Sequence, residues 1–206
     1  MKIKWFLAFA FLISIFSCTS MPSSSNEKFN IEPIVGENQR IRINRGNKFI
    51  DYIEKDMIIS CRCDIDDRAG VNSAFLGNTF VFYMGIENIN YPVIEFDENN
   101  LSVYGKNDIN DNWKSIKRYS ANETFQIWQN GKNIMWTLEG QINYISQVNE
   151  LKNVLLFSNS VYKGRPYSGL FKAAFENFKY IKVNLIINKD NLMEKNLEFI
   201  FSLVKI

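Results

Sequence analysis

Apolar and polar residues alternate along much of the chain, and an alternation with a period of two predicts β-strands. From Met57 to Ile65 the apolar positions fall on one face, while Ser60, Arg62 and Asp64 fall on the other. Two further alternating runs, Ile181–Ile187 and Leu197–Leu203, are joined by a polar segment over 188–196 that we expect to be a loop. Each of these runs therefore predicts a strand with one buried face.

Other short apolar runs complete the predicted set of strands. The run from Thr79 to Glu87 is apolar on both faces, which predicts a central strand. Between Gly169 and Phe178 a helix would also fit, but the flanking Gly and Pro residues favour a strand, and 49–53 is ambiguous. The remaining predicted strands cover residues 41–43, 93–96, 101–104 and 154–157.

The Asn130-Gly131 pair predicts a tight β-hairpin over residues 125–138, since both central positions of a type I′ turn need a positive φ. In this hairpin one face is core and the other half-exposed. The predicted core residues are Phe125, Ile127, Ile134 and Trp136, and the half-exposed ones are Gln126, Trp128, Asn133 and Met135.

About ten short strands at close spacing predict an all-β fold, an antiparallel β-sandwich formed by residues 31–206 as a single domain. The runs TFVFYMGIENINYPVIEFDENNLSVYG and YIKVNLII…LEFIFSLVK resemble the immunoglobulin-like sandwiches of many envelope lipoproteins. This likeness implies an immunoglobulin-like arrangement of the two sheets, but a fold does not by itself imply a function.

The first residues have the form of a bacterial export signal. Two lysines precede an apolar run of eleven residues from Phe6 to Phe16, which is too short for an ordinary membrane-spanning helix of roughly 20 residues. The following Ile15-Phe16-Ser17-Cys18 resembles the lipobox of bacterial lipoproteins, in the looser form typical of spirochaetes.

That resemblance implies that residues 1–17 are removed and that Cys18 carries the acyl chains. Residues 18–30, rich in Ser, Pro and Asn, then form a flexible tether between membrane and domain. A plain signal peptide with an incidental cysteine, or a retained membrane anchor, are the alternatives.

Charge and composition narrow the function classes. The chain has 24 Lys+Arg and 22 Asp+Glu, so removal of Lys2 and Lys4 leaves 22 of each and a net charge of zero. Nucleic-acid binding is disfavoured, because it calls for a basic surface. Histidine is absent, which removes the commonest general base and zinc ligand. We therefore expect no enzyme and no cofactor, although a carboxylate pair could in principle catalyse hydrolysis.

Two further groups of residues have a structural and a chemical interpretation. Cys61 and Cys63 would share the apolar face of their strand, where buried thiols are favoured over a disulfide or a redox pair. Oxygen-bearing side chains cluster at Asp64, Asp66 and Asp67 and again at Asp108, Asn110 and Asn112, but the second run lacks the glycine and glutamate of a calcium loop. We predict no metal site, and ordinary turns account for both clusters.

The function expected from these patterns is non-enzymatic binding of a protein or glycan partner by a lipid-anchored envelope protein. Trp113 and Trp128 have polar neighbours, and Arg165 and Tyr167 lie in a Gly- and Pro-containing loop, so these four are the predicted contact residues. Thr19 rather than Asp follows Cys18, which favours the outer over the inner membrane, facing the periplasm or the cell surface. The alternative is a structural or assembly subunit of an envelope complex.

Overall fold

The computed structural model describes residues 29–66, 79–130, 138–189 and 193–206. Two antiparallel sheets pack against each other with two short helices beside them, which confirms the predicted all-β sandwich. The immunoglobulin-like resemblance stays a prediction. The signal peptide, Cys18 and most of the tether lie outside the described residues, as do Asp67, Gly131 and the predicted hairpin residues 133–136.

Strands and helices are numbered in chain order. The first sheet contains β1 (Phe29–Ile34), β6 (Val93–Phe96), β7 (Leu101–Lys106), β8 (Lys114–Ile116), β10 (Asn159–Tyr162), β12 (Tyr180–Lys189) and β13 (Met193–Lys205). The second sheet contains β2 (Gln39–Asn44), β3 (Asn47–Glu54), β4 (Met57–Asp66), β5 (Thr79–Asn88), β9 (Arg118–Tyr119) and β11 (Tyr167–Ala174). The helices are α1 (Ala121–Asn130) and α2 (Leu138–Val154).

The second sheet has the strand order β2-β3-β4-β5-β11-β9, and the first runs β1-β13-β12-β6-β10 with β7 joining β12 to β8. Alternation along the strands supplies the core, as predicted. In β12 the side chains of Ile181, Val183, Leu185 and Ile187 are fully buried against the other sheet. The polar loop predicted over 188–196 is shorter, because Asn188 already pairs with Glu194 and Ile186 with Asn196.

A two-residue turn, Arg45-Gly46, joins β2 to β3. Both residues have a positive φ, 49° and 80°, which is the signature of a type I′ hairpin turn. Asn44 and Asn47 pair directly on either side of this turn. The turn therefore sets the register of β2, the outermost strand of the second sheet.

The hairpin predicted over residues 125–138 is wrong, because Ala121–Asn130 is an α-helix and a second helix begins at Leu138. The buried residues of α1, Ala121, Thr124 and Trp128, have helical spacing. Ser120 and Glu123 form a capping box at its start: the Ser120 Oγ accepts from the Glu123 amide at 3.0 Å, and the Glu123 carboxylate accepts from the Ser120 amide at 2.8 Å.

The strand predicted over 154–157 is also wrong, since α2 continues to Val154. Only Leu155 makes an isolated bridge, to Leu170. Leu155 and Leu156 are buried, so the apolar run was correctly assigned to the core but not to a strand. Among the described residues, neither helix is both long and apolar enough to cross a bilayer.

Candidate ligand groove on the second sheet

The outer face of the second sheet carries a row of polar and small residues. Register places Arg40 opposite Asp51, Asp51 opposite Ser60, Ser60 opposite Gly85, and Gly85 opposite Ser168. These residues face away from the core, because their neighbours along the strands, such as Ile50 and Cys61, are fully buried.

A second row, next to the first, alternates guanidinium groups and aromatic rings. The Arg42 guanidinium lies 4.5 Å from the centre of the Phe49 ring. The Arg62 guanidinium lies 4.2 Å from the Tyr83 ring centre and 5.5 Å from that of Phe49. Tyr83 in turn pairs with Leu170 of β11. Cation–π contacts therefore hold this row together across four strands.

The Asp51 carboxylate connects the two rows through hydrogen bonds and ion pairs at the end nearest β2. Asp51 is 1% exposed and accepts hydrogen bonds from Arg42 Nε at 2.8 Å and from the Ser60 hydroxyl at 2.7 Å. Arg42 Nη2 donates to the Ser60 Oγ at 3.3 Å, and Arg40 lies 3.8 Å from the same carboxylate. This network fixes the position of Arg42, and among the described residues Asp51 is the one carboxylate that compensates the charges of the two arginines.

A groove of about 610 Å³ opens between these rows and the end of α2. This volume lies within the range of small-ligand sites, which are mostly apolar with a few polar groups. The residues that line it are Arg42, Phe49, Ser60, Tyr83, Met84, Gly85, Asn153, Val154, Ser168, Gly169 and Leu170.

Two glycines shape the groove. At Gly85 an added Cβ would lie 3.9 Å from the Cβ atoms of Ser60 and Ser168, so the missing side chain leaves an open floor. At Gly169 a Cβ would lie only 2.8 Å from the Leu156 Cα, so glycine lets the segment after α2 approach the sheet. Gly85 therefore leaves space in the floor of the groove, and Gly169 allows the segment after α2 to pack closely against the sheet.

Cys61 and Cys63 lie on the opposite face of the same sheet, in the core. Both are free and buried, as the pattern of β4 predicted. Burial raises the pKa of each thiol well above its usual range, so neither is a thiolate at neutral pH. This protonated, buried state matches the structural interpretation of the pair.

Trp113, the first predicted contact residue, lies on the first sheet, away from the groove-lining residues. It is half-buried, and the ammonium groups of Lys106 and Lys182 lie 4.6 Å and 4.8 Å from its ring centre. Lys182 also forms an ion pair with Glu198 at 2.7 Å. The ring is thus engaged by cations and only partly available to a partner.

The half-exposed position expected for Trp128 is wrong. Because residues 121–130 form a helix rather than a hairpin, its side chain points inward and is only 9% exposed. Its ring stacks on Phe125 of the same helix, with 6.2 Å between ring centres, and on Tyr144 of α2, with 5.9 Å between ring centres. These contacts join α1 to α2.

Arg165 and Tyr167 lie at and just after the turn between β10 and β11. Arg165 is exposed, and its amide donates to the Tyr162 carbonyl at 3.0 Å. The Tyr167 hydroxyl donates to the Phe157 carbonyl at 2.7 Å and accepts from the Phe157 amide at 2.8 Å. Tyr167 therefore holds the segment after α2, and only Arg165 is free to meet a partner.

The Asx-rich segment after β7 forms a turn through its own side chains. The Asp108 Oδ1 accepts from the Asn110 amide at 3.0 Å, and the Asp111 Oδ2 accepts from the Asp108 amide at 2.9 Å. In the part of the chain that the structure describes, no group of three or more acidic or cysteine side chains is arranged to hold a metal ion.

The groove itself was missed from the sequence, although one of its signals was present. Ser60, Arg62 and Asp64 were correctly placed on the face opposite the cysteines. Arg40 and Arg42 show the same alternation with Ile41 and Ile43. The groove forms only when β2, β3, β4, β5 and β11 lie side by side in the sheet. This strand order brings together residues that are more than a hundred positions apart in the sequence.

No family model and no curated protein matches this chain. One solved structure that resembles it is described as the X-ray structure of Northeast Structural Genomics Consortium target SoR45. The match covers 89% of this chain and 86% of that one, at 6% identity and a TM-score of 0.28. This likeness is too low to carry an argument about fold or function.

Proposed function

We propose that this protein is a lipid-anchored component of a bacterial envelope that binds a partner without catalysing a reaction. The observation that carries the proposal is the groove on the outer face of the second sheet. It is open, largely apolar, and bordered by Arg42, which the buried Asp51 carboxylate fixes in place. Preorganised polar groups beside an apolar surface favour binding, because little side-chain freedom is lost when the partner arrives.

Of the two expected partner classes, the groove favours a protein over a glycan. Sugars bind to the open faces of aromatic rings, but guanidinium groups already lie over the Phe49 and Tyr83 rings. The open floor at Gly85 instead suits an apolar side chain of a protein partner.

Membrane attachment follows from the lipobox-like residues. Two or three acyl chains at Cys18 would anchor the domain firmly, since each buried CH₂ contributes about 0.8 kcal/mol. We predict that Cys18→Ala moves the protein from the membrane fraction to the soluble fraction of broken cells, as shown by immunoblotting. Retention of the Cys18→Ala chain in the membrane would instead indicate an uncleaved apolar segment.

Site-specific cross-linking in intact cells tests the binding function. A photo-cross-linking amino acid replaces Val154, which is exposed at the rim of the groove. The matched control places it at Ile109, which is also exposed but lies in the loop between β7 and β8. We expect a discrete cross-linked product from position 154 and not from position 109.

Filling the groove provides the decisive comparison. Gly85→Leu would occupy the floor, because its neighbours leave ordinary contact distances there. We expect it to abolish the product from position 154 without lowering the amount of protein. A product of undiminished intensity in the Gly85→Leu chain would contradict the groove as the binding site.

The second candidate function, a structural or assembly subunit, is favoured by a different observation. Ile41 and Ile43 of the outermost strand β2 are 46% and 68% exposed. Apolar side chains along an open strand edge are typical of surfaces that pair with another chain. Cross-linking followed by co-purification of envelope proteins would identify such an assembly.

A further inference from the structure

β2 ends the second sheet and, among the described residues, pairs only with β3. It is six residues long and contains no proline. The strands at the other sheet borders are less suited to pairing: β9 has two residues, β10 has four, and β1 contains Pro33. Short strands and proline are the usual protections of an edge, and β2 has neither.

The β2–β3 turn determines which backbone groups of β2 face outward. In a two-residue type I′ hairpin the flanking residues, Asn44 and Asn47, form a hydrogen-bonded pair, and the pairs then alternate along the strands. Arg42 and Arg40 consequently direct their amides and carbonyls towards β3. Gln39, Ile41 and Ile43 direct theirs outward, where an added strand would bind. The Gln39 amide already donates to the Gly36 carbonyl at 3.3 Å, so at this position the carbonyl is the group offered to an added strand.

Charged and apolar side chains alternate along β2. Arg40 and Arg42 lie on the outer face, and Arg40 is 62% exposed. Ile41 and Ile43 lie on the other face and are largely uncovered. Because Asp51 is the one carboxylate paired with both arginines, the outer face carries a net positive charge at this edge.

We propose that the edge of β2 binds an extended segment of a partner protein as an added antiparallel strand, with acidic and apolar residues alternating along that segment. Cross-strand neighbours share a face, so the acidic residues meet Arg40 and Arg42 and the apolar ones meet Ile41 and Ile43. The inference rests on the proposed binding function and names the chemistry of its partner.

A second copy of this chain is a poor occupant of the same edge. Pairing β2 with β2 would bring Arg40 and Arg42 next to the same residues of the other copy, and like charges across a strand pair are destabilising. The arginines thus discourage self-association and favour an acidic partner. This charge pattern makes the open edge of β2 selective for its partner.

The test uses a fluorescent peptide of about eight residues, a usual strand length, that alternates Glu and Val. We expect the full chain to raise its fluorescence anisotropy. A peptide that alternates Lys and Val should bind at least about tenfold more weakly, since opposite-charge pairs become repulsive. Equal binding of both peptides would overturn the charge argument.

Methylation of backbone amides separates strand addition from other modes of binding. In the antiparallel arrangement the Val residues stand opposite Gln39, Ile41 and Ile43, so their amides donate to β2. N-methylation of the Val amides should abolish binding, whereas N-methylation of the Glu amides should be tolerated. Equal effects of the two methylated peptides would contradict strand addition at this edge.

Charge reversal on the protein gives the complementary comparison. Arg40→Glu should weaken the Glu-Val peptide by about three- to tenfold and strengthen the Lys-Val peptide. The matched control, Lys179→Glu, reverses the charge of an exposed lysine between β11 and β12 and should change neither affinity. An Arg40→Glu chain that binds both peptides like the unaltered chain would overturn the proposal.

Gly85→Leu distinguishes failure of this inference from failure of the binding function. It fills the groove but leaves the edge of β2 intact, so Glu-Val peptide binding should persist. A cross-linked product from position 154 together with no peptide binding would overturn the edge proposal and keep the groove. Peptide binding without any cross-linked product would support the edge and reject the groove.

Discussion

Cys61 and Cys63 make the stability of the domain sensitive to alkaline pH. Burial raises the pKa of both thiols above the value of about 9 that an exposed cysteine has. Above that pH the unfolded chain loses protons that the folded chain keeps, so the free energy of unfolding falls as pH rises. The stabilisation is therefore complete below about pH 9 and lost progressively above it.

We predict that Cys61→Ala reduces this alkaline loss. Between about pH 9 and about pH 10 each buried thiol lowers the free energy of unfolding by about 1 kcal/mol, and at higher pH the slope approaches about 1.4 kcal/mol per pH unit. Urea unfolding at several pH values should show a shallower decline for Cys61→Ala than for the unaltered chain. Parallel curves for the two proteins would show that Cys61 ionises equally in both states.

Gly105 and Gly85 form a second pair of contrasting positions. A Cβ at Gly105 would overlap the Phe178 ring, whereas one at Gly85 would make only ordinary contacts, at 3.9 Å, with the Cβ atoms of Ser60 and Ser168. We predict that Gly105→Ala destabilises the domain by about 1–3 kcal/mol, since overpacking forces the ring to move. Gly85→Ala should change stability by less than about 1 kcal/mol. Urea unfolding of both variants would measure this, and equal losses would contradict the proposed contact.

For individual residues, burial was predicted correctly wherever the predicted secondary structure was correct. The cysteines were assigned to the core because β4 alternates cleanly between apolar and polar positions. Trp128 was misplaced because its exposure was derived from polar neighbours in an assumed strand. In a helix the neighbours that matter are three and four positions away, which brings Phe125 against Trp128, and Tyr144 of α2 packs against the same ring.

The stability of helix α1 depends on hydrogen bonds at its N-terminus. Ser120 and Glu123 exchange hydrogen bonds that satisfy two amides at the helix start. We predict that Ser120→Ala lowers stability by about 0.5–2 kcal/mol, because the Glu123 amide loses its acceptor. The exposed neighbour Asn122 provides the control, and Asn122→Ala should be close to neutral. Thermal unfolding would compare the two, and equal losses would contradict the capping role.

The same capping box has an acidic pH dependence. The Ser120 amide donates to the Glu123 carboxylate and lowers the pKa of that group. Its contribution to stability is therefore present above the ordinary glutamate pKa and is lost as pH falls through the lowered value. Glu123→Gln should flatten the stability curve below about pH 4.5, and an unchanged curve would contradict this assignment.

The strands were predicted from the sequence much better than the helices. Nearly every alternating run became a strand, because burial on one face imposes a period of two. The helices were missed because Asn130-Gly131 is a strong hairpin signal and the Ser120-x-x-Glu123 spacing was not recognised as a capping box. That spacing, together with buried residues at 121, 124 and 128, would have indicated α1.

At the scale of the whole molecule, the binding surface depends on pairings that no local pattern reveals. The groove brings β2, β3, β4, β5 and β11 together with the end of α2. Local periodicity indicates which residues share a face of one strand. It does not indicate which strands become neighbours or which strand is left at the edge, and the groove and the β2 edge are consequences of that arrangement.

Residue-specific amide hydrogen exchange by NMR, with and without the Glu-Val peptide, tests the account most directly. The account predicts that the Ile41 and Ile43 amides exchange more slowly with peptide bound, because each gains a hydrogen bond. The Arg40 and Arg42 amides already face β3 and should change little. Protection of all four amides alike, or of none of them while the peptide is bound, would contradict binding by strand addition at β2.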